Sequence, residues 1–419
     1  MKARKIRLDR IYAENLGPVR RADIKIGDVT VLMGPNNTGK TYTAMLTLLA
    51  ESLAGLFLLV PDFNEMSDSE RKSFVRLNAF NYILDTYSLT DASKLIRQGA
   101  DTATVKFIFE KIEARTLTNP TISLDIDKDG KLRPWWDPVI WARPKQVVFI
   151  VPSSVVYLPA ERAGIMKTYR QLLRLHLRTR WIPTSVLLRE KKRLVTLLGE
   201  EIEMHRTIRE FLDQLLAVGE RKKGVDIEVA YLEENVLGGK VELREDLSVK
   251  YFPKEIKEEI DIINSSSLIA EVSGIYLMSS LAGPGDFLVV EEPESHVHPR
   301  GQLALARFFA KLANKGVRVF ITTHSDLIAL KLAQLVGLNG LSTEQLKKLG
   351  YDESDRLSKE RLSIYFMKPT PEGSVSEEIQ VSETGEVEEL PTYSHVIEEM
   401  YGEAVKLLDL HRKISEPPY

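Results

Sequence analysis

The chain of 419 residues contains no cysteine, which excludes both a disulfide framework and a thiolate zinc site. It also lacks an excess of one charge. Lys and Arg number 57 against 60 Asp and Glu, and the pI near 6.3 excludes attraction of nucleic acid to the whole surface. A long apolar run is missing too: the nearest, Thr43 to Val60, falls short of the roughly 20 residues a membrane span needs. The opening MKARKIRLDR has no apolar core of a targeting peptide. Glutamine is sparse, and with 28% charged residues and no cysteine the composition leans towards a heat-adapted source. A soluble, cytoplasmic chain is expected, with no membrane partner. Its length suits about two to three ordinary domains, or one domain enlarged by insertions.

What is present begins at residue 34. Gly34, Pro35, Asn36, Asn37, Thr38, Gly39, Lys40 and Thr41 fit G-x-x-x-x-G-K-[ST], after the apolar run Val29 to Met33 and before a helical pattern from Tyr42 to Leu59. The two glycines let the backbone curl so that successive N–H groups face phosphates. The helix start adds its positive end, the Lys40 ammonium reaches the β- and γ-phosphates, and the Thr41 hydroxyl is set to ligate Mg²⁺. Tyr42, next in the chain, is included in the same binding set.

A second motif lies far downstream. Phe287 to Val290 suits a strand buried on both faces, and ligands of an α/β sheet sit beyond the carboxyl ends of such strands. Glu291 is then placed to hold Mg²⁺ and Glu292 to orient and deprotonate an attacking water, with Pro293 ending the strand. A third strand pattern, Val317 to Thr323, ends in His324. The helical spacing of Gly301 to Lys315, stopped by Gly316, makes strand, helix and strand one crossover that sets His324 beside Glu292. An imidazole there can hydrogen-bond the γ-phosphate or the water.

The order GPNNTGKT, a serine run before a helix, LVVEEPESHVHP and ITTHSD resembles the ABC-type ATPases of the OLD, RecF and SMC-like branch. The turn at Asn15 to Pro18 between strands Ile6 to Ile11 and Ala22 to Ile26 is similar to the opening of that branch, and Tyr157 to Gly164 is similar to an OLD-like segment. The resemblance implies an α/β fold, a P-loop NTPase of ABC-ATPase type over residues 1–330. That head would carry a flanking antiparallel β subdomain and a helical lobe inserted at about 161–223, with a small C-terminal α+β extension at 331–419. It implies ATP and Mg²⁺ as ligands, ATP hydrolysis, and a homodimer in which two heads sandwich two nucleotides.

The same resemblance implies that the signature segment is Ser265, Ser266 and Ser267, and that Glu161 and Arg162 stand where a Q-loop would contact metal and phosphate. The chain departs from the family in having no LSGGQ, a Glu at 291 where many relatives have Asp, and His296 and His298 in the D-loop. For these histidines a packing or interface role is expected, since no third ligand with zinc spacing is near. An ATP-driven switch acting on DNA or an effector in repair or defence is expected. The alternatives are a nucleotide sensor with little turnover and a transporter-energising subunit.

Charge is uneven. Between Glu161 and Lys223 fifteen Lys or Arg face eight Asp or Glu, and Arg170, Arg174 and Arg178 share one helix face at i, i+4 and i+8. DNA or an acidic protein partner is expected there, with a plain solvated face as the alternative. Strands are predicted at Val105 to Phe109, Thr121 to Ile126, Ile227 to Glu233 and Lys240 to Leu243, with hairpin turns at Asp129-Gly130 and Gly238-Gly239. The C-terminal stretch predicts strands Leu362 to Met367 and Ile379 to Val381 and a helix from Tyr393 to Leu410. It has no pattern for a Toprim nuclease domain.

Overall fold

The computed structural model describes residues 4–59, 66–110, 119–136, 150–180, 204–220, 227–256, 258–387, 390 and 393–415. In chain order the strands of its amino-terminal part are β1 (Arg4–Ile6), β2 (Leu8–Leu16), β3 (Val19–Lys25), β4 (Val29–Met33), β5 (Thr102–Phe109), β6 (Thr121–Asp127), β7 (Leu132–Trp136), β8 (Ile150–Pro152) and β9 (Val155–Leu158). Those that follow are β10 (Gly239–Leu243), β11 (Val249–Pro253), β12 (Ile260–Asp261), β13 (Phe287–Glu291), β14 (Arg318–Thr323), β15 (Leu362–Lys368) and β16 (Ser374–Ile379). The helices are α1 (Lys40–Leu59), α2 (Asp68–Tyr87), α3 (Arg162–Arg180), α4 (Arg206–Glu220), α5 (Ile227–Leu232), α6 (Ser267–Ser279), α7 (Pro299–Asn314), α8 (Asp326–Val336), α9 (Thr343–Lys348) and α10 (Tyr393–Ser415).

Eleven strands form one sheet in the order β7-β6-β5-β2-β3-β16-β15-β4-β14-β13-β9. From β9 to β15 neighbours run parallel, and from β3 to β7 they run antiparallel. The hairpin of β15 and β16 joins the halves, because β16 is antiparallel to β15 and parallel to β3. This is the expected α/β architecture, a phosphate-loop sheet continued by antiparallel strands.

The parallel half is covered on both faces, which is why its strands read as unbroken apolar runs. Val31, Leu288, Val290, Val319 and Ile321 enter a core shared with α6, α7 and α8. Leu32, Phe287, Val289 and Phe320 alternate to the other face, against α1. The crossover from β13 through α7 to β14 is present, with Glu291 paired to Thr322.

Three expectations need correction. Residues 227–232 are helix, followed by a π-turn to Leu237, and Gly238 caps that helix in the left-handed region instead of turning a hairpin. The β-branched Ile227 and Val229 imitate a strand, but the segment packs on α7. The boundary at 330/331 does not separate two bodies, since β15 lies directly beside β4 and β16 beside β3 in the interior of the sheet. The second C-terminal strand is Ser374–Ile379, earlier in the chain than predicted. Among the described residues no helix is long and apolar enough to cross a membrane. Of the basic stretch, Arg189, Lys191, Lys192 and Arg193 lie outside the described residues.

Candidate functional site

The loop after β4 is shaped by contacts that only glycine permits. Gly34 has φ 144°, and a Cβ there would stand 2.8 Å from the Met367 carbonyl oxygen of β15; at Gly39, φ 85°, it would stand 2.4 Å from Val19 Cγ2. The loop therefore rests on β15 and β3, which come from the two ends of the chain. Thr38 donates to the Pro35 carbonyl at 2.9 Å, and the Lys40 ammonium lies inside the loop, donating to the Gly34 and Pro35 carbonyls at 2.9 and 2.7 Å. Burial lowers the Lys40 pKa to about 8, against the opposing pull of Glu292, Glu294 and Glu291.

Thr41 turns towards β13. Its hydroxyl donates to Glu291 Oε2 at 2.7 Å, and the Tyr157 hydroxyl of β9 donates to Glu291 Oε1 at 2.6 Å. The carboxyl is almost wholly buried, and burial lifts its pKa to about 7 in spite of the two hydroxyls.

Glu292 follows with φ 43°, a left-handed conformation that costs a non-glycine residue about 1 kcal/mol or more. Its N–H still extends the ladder to the Thr322 carbonyl at 2.8 Å, while its carboxylate turns to within 3.5 Å of His324 Nε2. His324 holds the Glu292 carboxyl below the usual range, helped by Lys40 and Arg162. The His324 N–H donates to Glu294 Oε1 at 2.6 Å, leaving the buried Glu294 Oε2 without a partner.

Lys40, Thr41, Glu291, Glu292 and His324 thus converge from three segments. Beside the loop, an open cavity of about 490 Å³ is lined by Gly17, Asn36, Asn37, Arg97, Pro369 and Ser374 among others. Its volume lies within the range of small-molecule sites. The carboxylates do not line it.

Other nominated residues are placed differently. Arg162 does not face the loop. Fully buried, it donates to the Pro159 carbonyl at 2.8 Å, to the Glu291 carbonyl and to the Glu292 carbonyl at 2.9 Å, and pairs with the equally buried Glu271 of α6. Burial outweighs attraction in this pair, pushing Glu271 up to about 7 and Arg162 down. Arg162 therefore fixes the backbone that aims the two carboxylates.

Tyr42 packs on Tyr87, with ring centroids 5.2 Å apart, and on Gly17. Ser266 caps α6, accepting from the Ile269 N–H; Ser265 donates to the Ile262 carbonyl at 2.7 Å; and Ser267 lies 3.4 Å from Lys167 Nζ. None of these serine bonds reaches the loop. Glu161 is exposed at the start of α3. His296 is exposed with φ 60°, and His298 caps α7. Arg170 pairs with Asp261 at 3.0 Å and Arg174 is exposed, while the Arg178 side chain lies outside the described residues.

Residues 271–330, which run from Glu271 through both carboxylates to past His324, match a family model described as "AAA domain, putative AbiEii toxin, Type IV TA system". No curated protein matches the chain. Among solved structures, the chain is similar to an SMC head bound to the C-winged helix domain of ScpA, at 13% identity and TM-score 0.49 over 90% of this chain and 98% of that one. It is also similar to the SMC head domain from Thermotoga maritima, at 12% identity and TM-score 0.43 over 90% and 100%. An Smc head with an extended coiled coil, bound to a ScpA domain from Pyrococcus furiosus, gives 12%, 0.45, 97% and 100% in the same order. Such values say nothing about activity.

Three residues of the site belong to no sequence motif. Tyr157 carries a lone hydroxyl in an apolar strand, and Glu271 is the one acid in the apolar helix Leu268 to Leu281. Either could have been flagged as a polar group needing a buried partner. Glu294 had no such signal.

Proposed function

We propose that this chain binds ATP with Mg²⁺ and hydrolyses it. The reading rests on the 2.7 Å bond between Thr41 Oγ1 and Glu291 Oε2, which ties the loop to a carboxylate 250 residues away. Two hard oxygen donors meeting beside a lysine-bearing loop fit Mg²⁺, and not a soft metal. Mg²⁺, when bound by Thr41 and Glu291, supplies positive charge against the phosphate oxygens.

Each protein group then has a task. The Lys40 ammonium leaves the Gly34 and Pro35 carbonyls for the β- and γ-phosphates, and the loop N–H groups face the same oxygens. Glu292, kept ionised by His324, accepts the proton of the attacking water at its carboxylate. His324 donates from Nε2 to the γ-phosphate or to Glu292 and orients the water between them. The strained backbone at Glu292, gripped by Arg162, keeps that carboxylate pointed at the loop. The match over residues 271–330 supports the ATPase reading, because it spans Glu291, Glu292 and His324.

The finer role we propose is a cytoplasmic switch of OLD-like type. Two heads close on ATP, each presenting Ser265 to Ser267 to the other's γ-phosphate, and act on DNA or an effector protein in repair or defence. Arg174 and its neighbours on α3 would carry that contact; Arg170, already paired with Asp261, would contribute less. The test is Glu292→Gln. With ATP and Mg²⁺ the variant should double its mass on size exclusion and release no phosphate. Phosphate release at the unmodified rate would remove Glu292 as the base, and unchanged mass would leave a nucleotide sensor in place of a switch.

A further inference from the structure

The Tyr157 hydroxyl touches the carboxylate assigned to the metal but has no part in the reaction described above. Val155 to Leu158 is otherwise apolar and wholly buried, and a phenol enclosed in such a strand needs a partner for its O–H. The strand register supplies one. β9 runs parallel to β13 with Tyr157 opposite Val289, so Tyr157 points to the face that carries Val289 and, two residues on, Glu291. Two residues of a strand rise roughly 6.6 Å, a length the phenol side chain bridges. Its hydroxyl donates to Glu291 Oε1 at 2.6 Å.

That bond divides the carboxylate. Oε1 is held by Tyr157 from the side of the sheet, and Oε2 is left to Thr41, at the start of α1 and next to the phosphate loop. The Glu291 backbone is fixed separately, by its pairing with Thr322 and by the Arg162 guanidinium on its carbonyl. The terminal torsion of a glutamate is soft and roughly two-fold, so without the Tyr157 bond the carboxyl could turn both oxygens towards the loop. The difference matters to a cation. A carboxylate free to give both oxygens suits Ca²⁺, which takes about six to eight oxygen ligands in a loose shell; one that offers a single oxygen suits Mg²⁺, which holds a near-ideal octahedron and keeps several waters.

We propose that Tyr157 is a positioning residue that makes the site selective for Mg²⁺ over Ca²⁺, holding Glu291 Oε1 so that only Oε2 faces the ion or its water shell. The inference rests on the reading of Thr41 and Glu291 as metal ligands, and adds the group that sets which divalent ion they take. Groups that orient a metal ligand change metal affinity about 10–100-fold when they are removed.

The test reads binding and not turnover. Affinity for AMP-PNP, a non-hydrolysable ATP analogue, is measured by isothermal titration without metal, with Mg²⁺ and with Ca²⁺, in the parent, Tyr157→Phe and Tyr87→Phe. Tyr157→Phe should bind the metal-free analogue as the parent does, and should lower the ratio of Mg²⁺-supported to Ca²⁺-supported affinity about tenfold or more. Tyr87→Phe removes another buried hydroxyl, bonded to the Tyr42 carbonyl at 2.9 Å, and should keep the parent's ratio. An unchanged ratio in Tyr157→Phe, or an equal fall in Tyr87→Phe, overturns the proposal and leaves the ATP reading standing; a parent that binds no nucleotide ends both. Should Tyr157→Phe fail to fold, the parent decides the matter. Crystals grown with Mg²⁺ and AMP-PNP should show Glu291 presenting Oε2 with Oε1 still on the Tyr157 hydroxyl, and both oxygens on the ion overturns the proposal.

Discussion

Replacing Glu291 with Gln separates what the site does for folding from what it does for ligand. The carboxyl is 3% exposed, and burial moves its pKa from 4.5 to about 7. Between those values the folded chain binds more protons at this position than the unfolded chain. Stability therefore falls as pH rises from about 4.5 to about 7, and the loss is complete above that. At 1.36 kcal/mol per pH unit the ionised group costs the fold about 3 kcal/mol at pH 8.

Glutamine keeps the shape, and either hydroxyl, Thr41 or Tyr157, can rotate to accept from its amide. Glu291→Gln should then be more stable than the parent at pH 8 by roughly 1–3 kcal/mol, raising Tm by roughly 1–3 °C, with the gap closing by pH 5. The opposite holds for ligand. The parent should gain about 2.7 kcal/mol from Mg·ATP at a hundred times its Kd, and the variant should lose the Mg²⁺-dependent part. Differential scanning calorimetry at both pH values, with and without Mg·ATP, reads all of this. A variant less stable than the parent at pH 8, with its Mg·ATP shift intact, would make Glu291 a structural residue and refute the reasoning.

Two further outcomes follow from the contacts. Arg162→Met leaves Glu271 buried without its counter-charge and should cost about 3–5 kcal/mol in urea unfolding, with part recovered by Glu271→Gln in the same chain; an unchanged midpoint would mean the pair carries nothing. Converting Arg170, Arg174 and Arg178 to Glu should lower the salt at which the protein leaves heparin, with Arg174, which is exposed, contributing more than Arg170, which is paired with Asp261. Unchanged elution would remove nucleic acid from the partners of α3.

Much of the site was legible because its parts are local patterns. The glycine-bounded loop, the buried strands ending at Glu291 and Thr323, and the crossover between them each carry a signal within a dozen residues. What was not legible depends on distant packing. Nothing near Leu362 says that β15 enters the sheet beside β4 and presses its Met367 carbonyl against Gly34. The resemblance sets Arg162 at the nucleotide, whereas its partners, Glu271 and the carbonyls of Glu291 and Glu292, come together only in the fold. Residues 227–232 differ for a local reason: β-branched residues at alternate positions suit a strand, yet the segment is helix.

The central claim is that the loop, the two carboxylates and His324 surround one nucleotide. Isothermal titration of ATP into the protein, with and without Mg²⁺, tests it most directly. Saturable binding is expected that tightens with Mg²⁺ in the parent, is lost in Lys40→Met, and is insensitive to Mg²⁺ in Thr41→Val. Absence of ATP binding in the parent, or binding that Lys40→Met leaves intact, would contradict it.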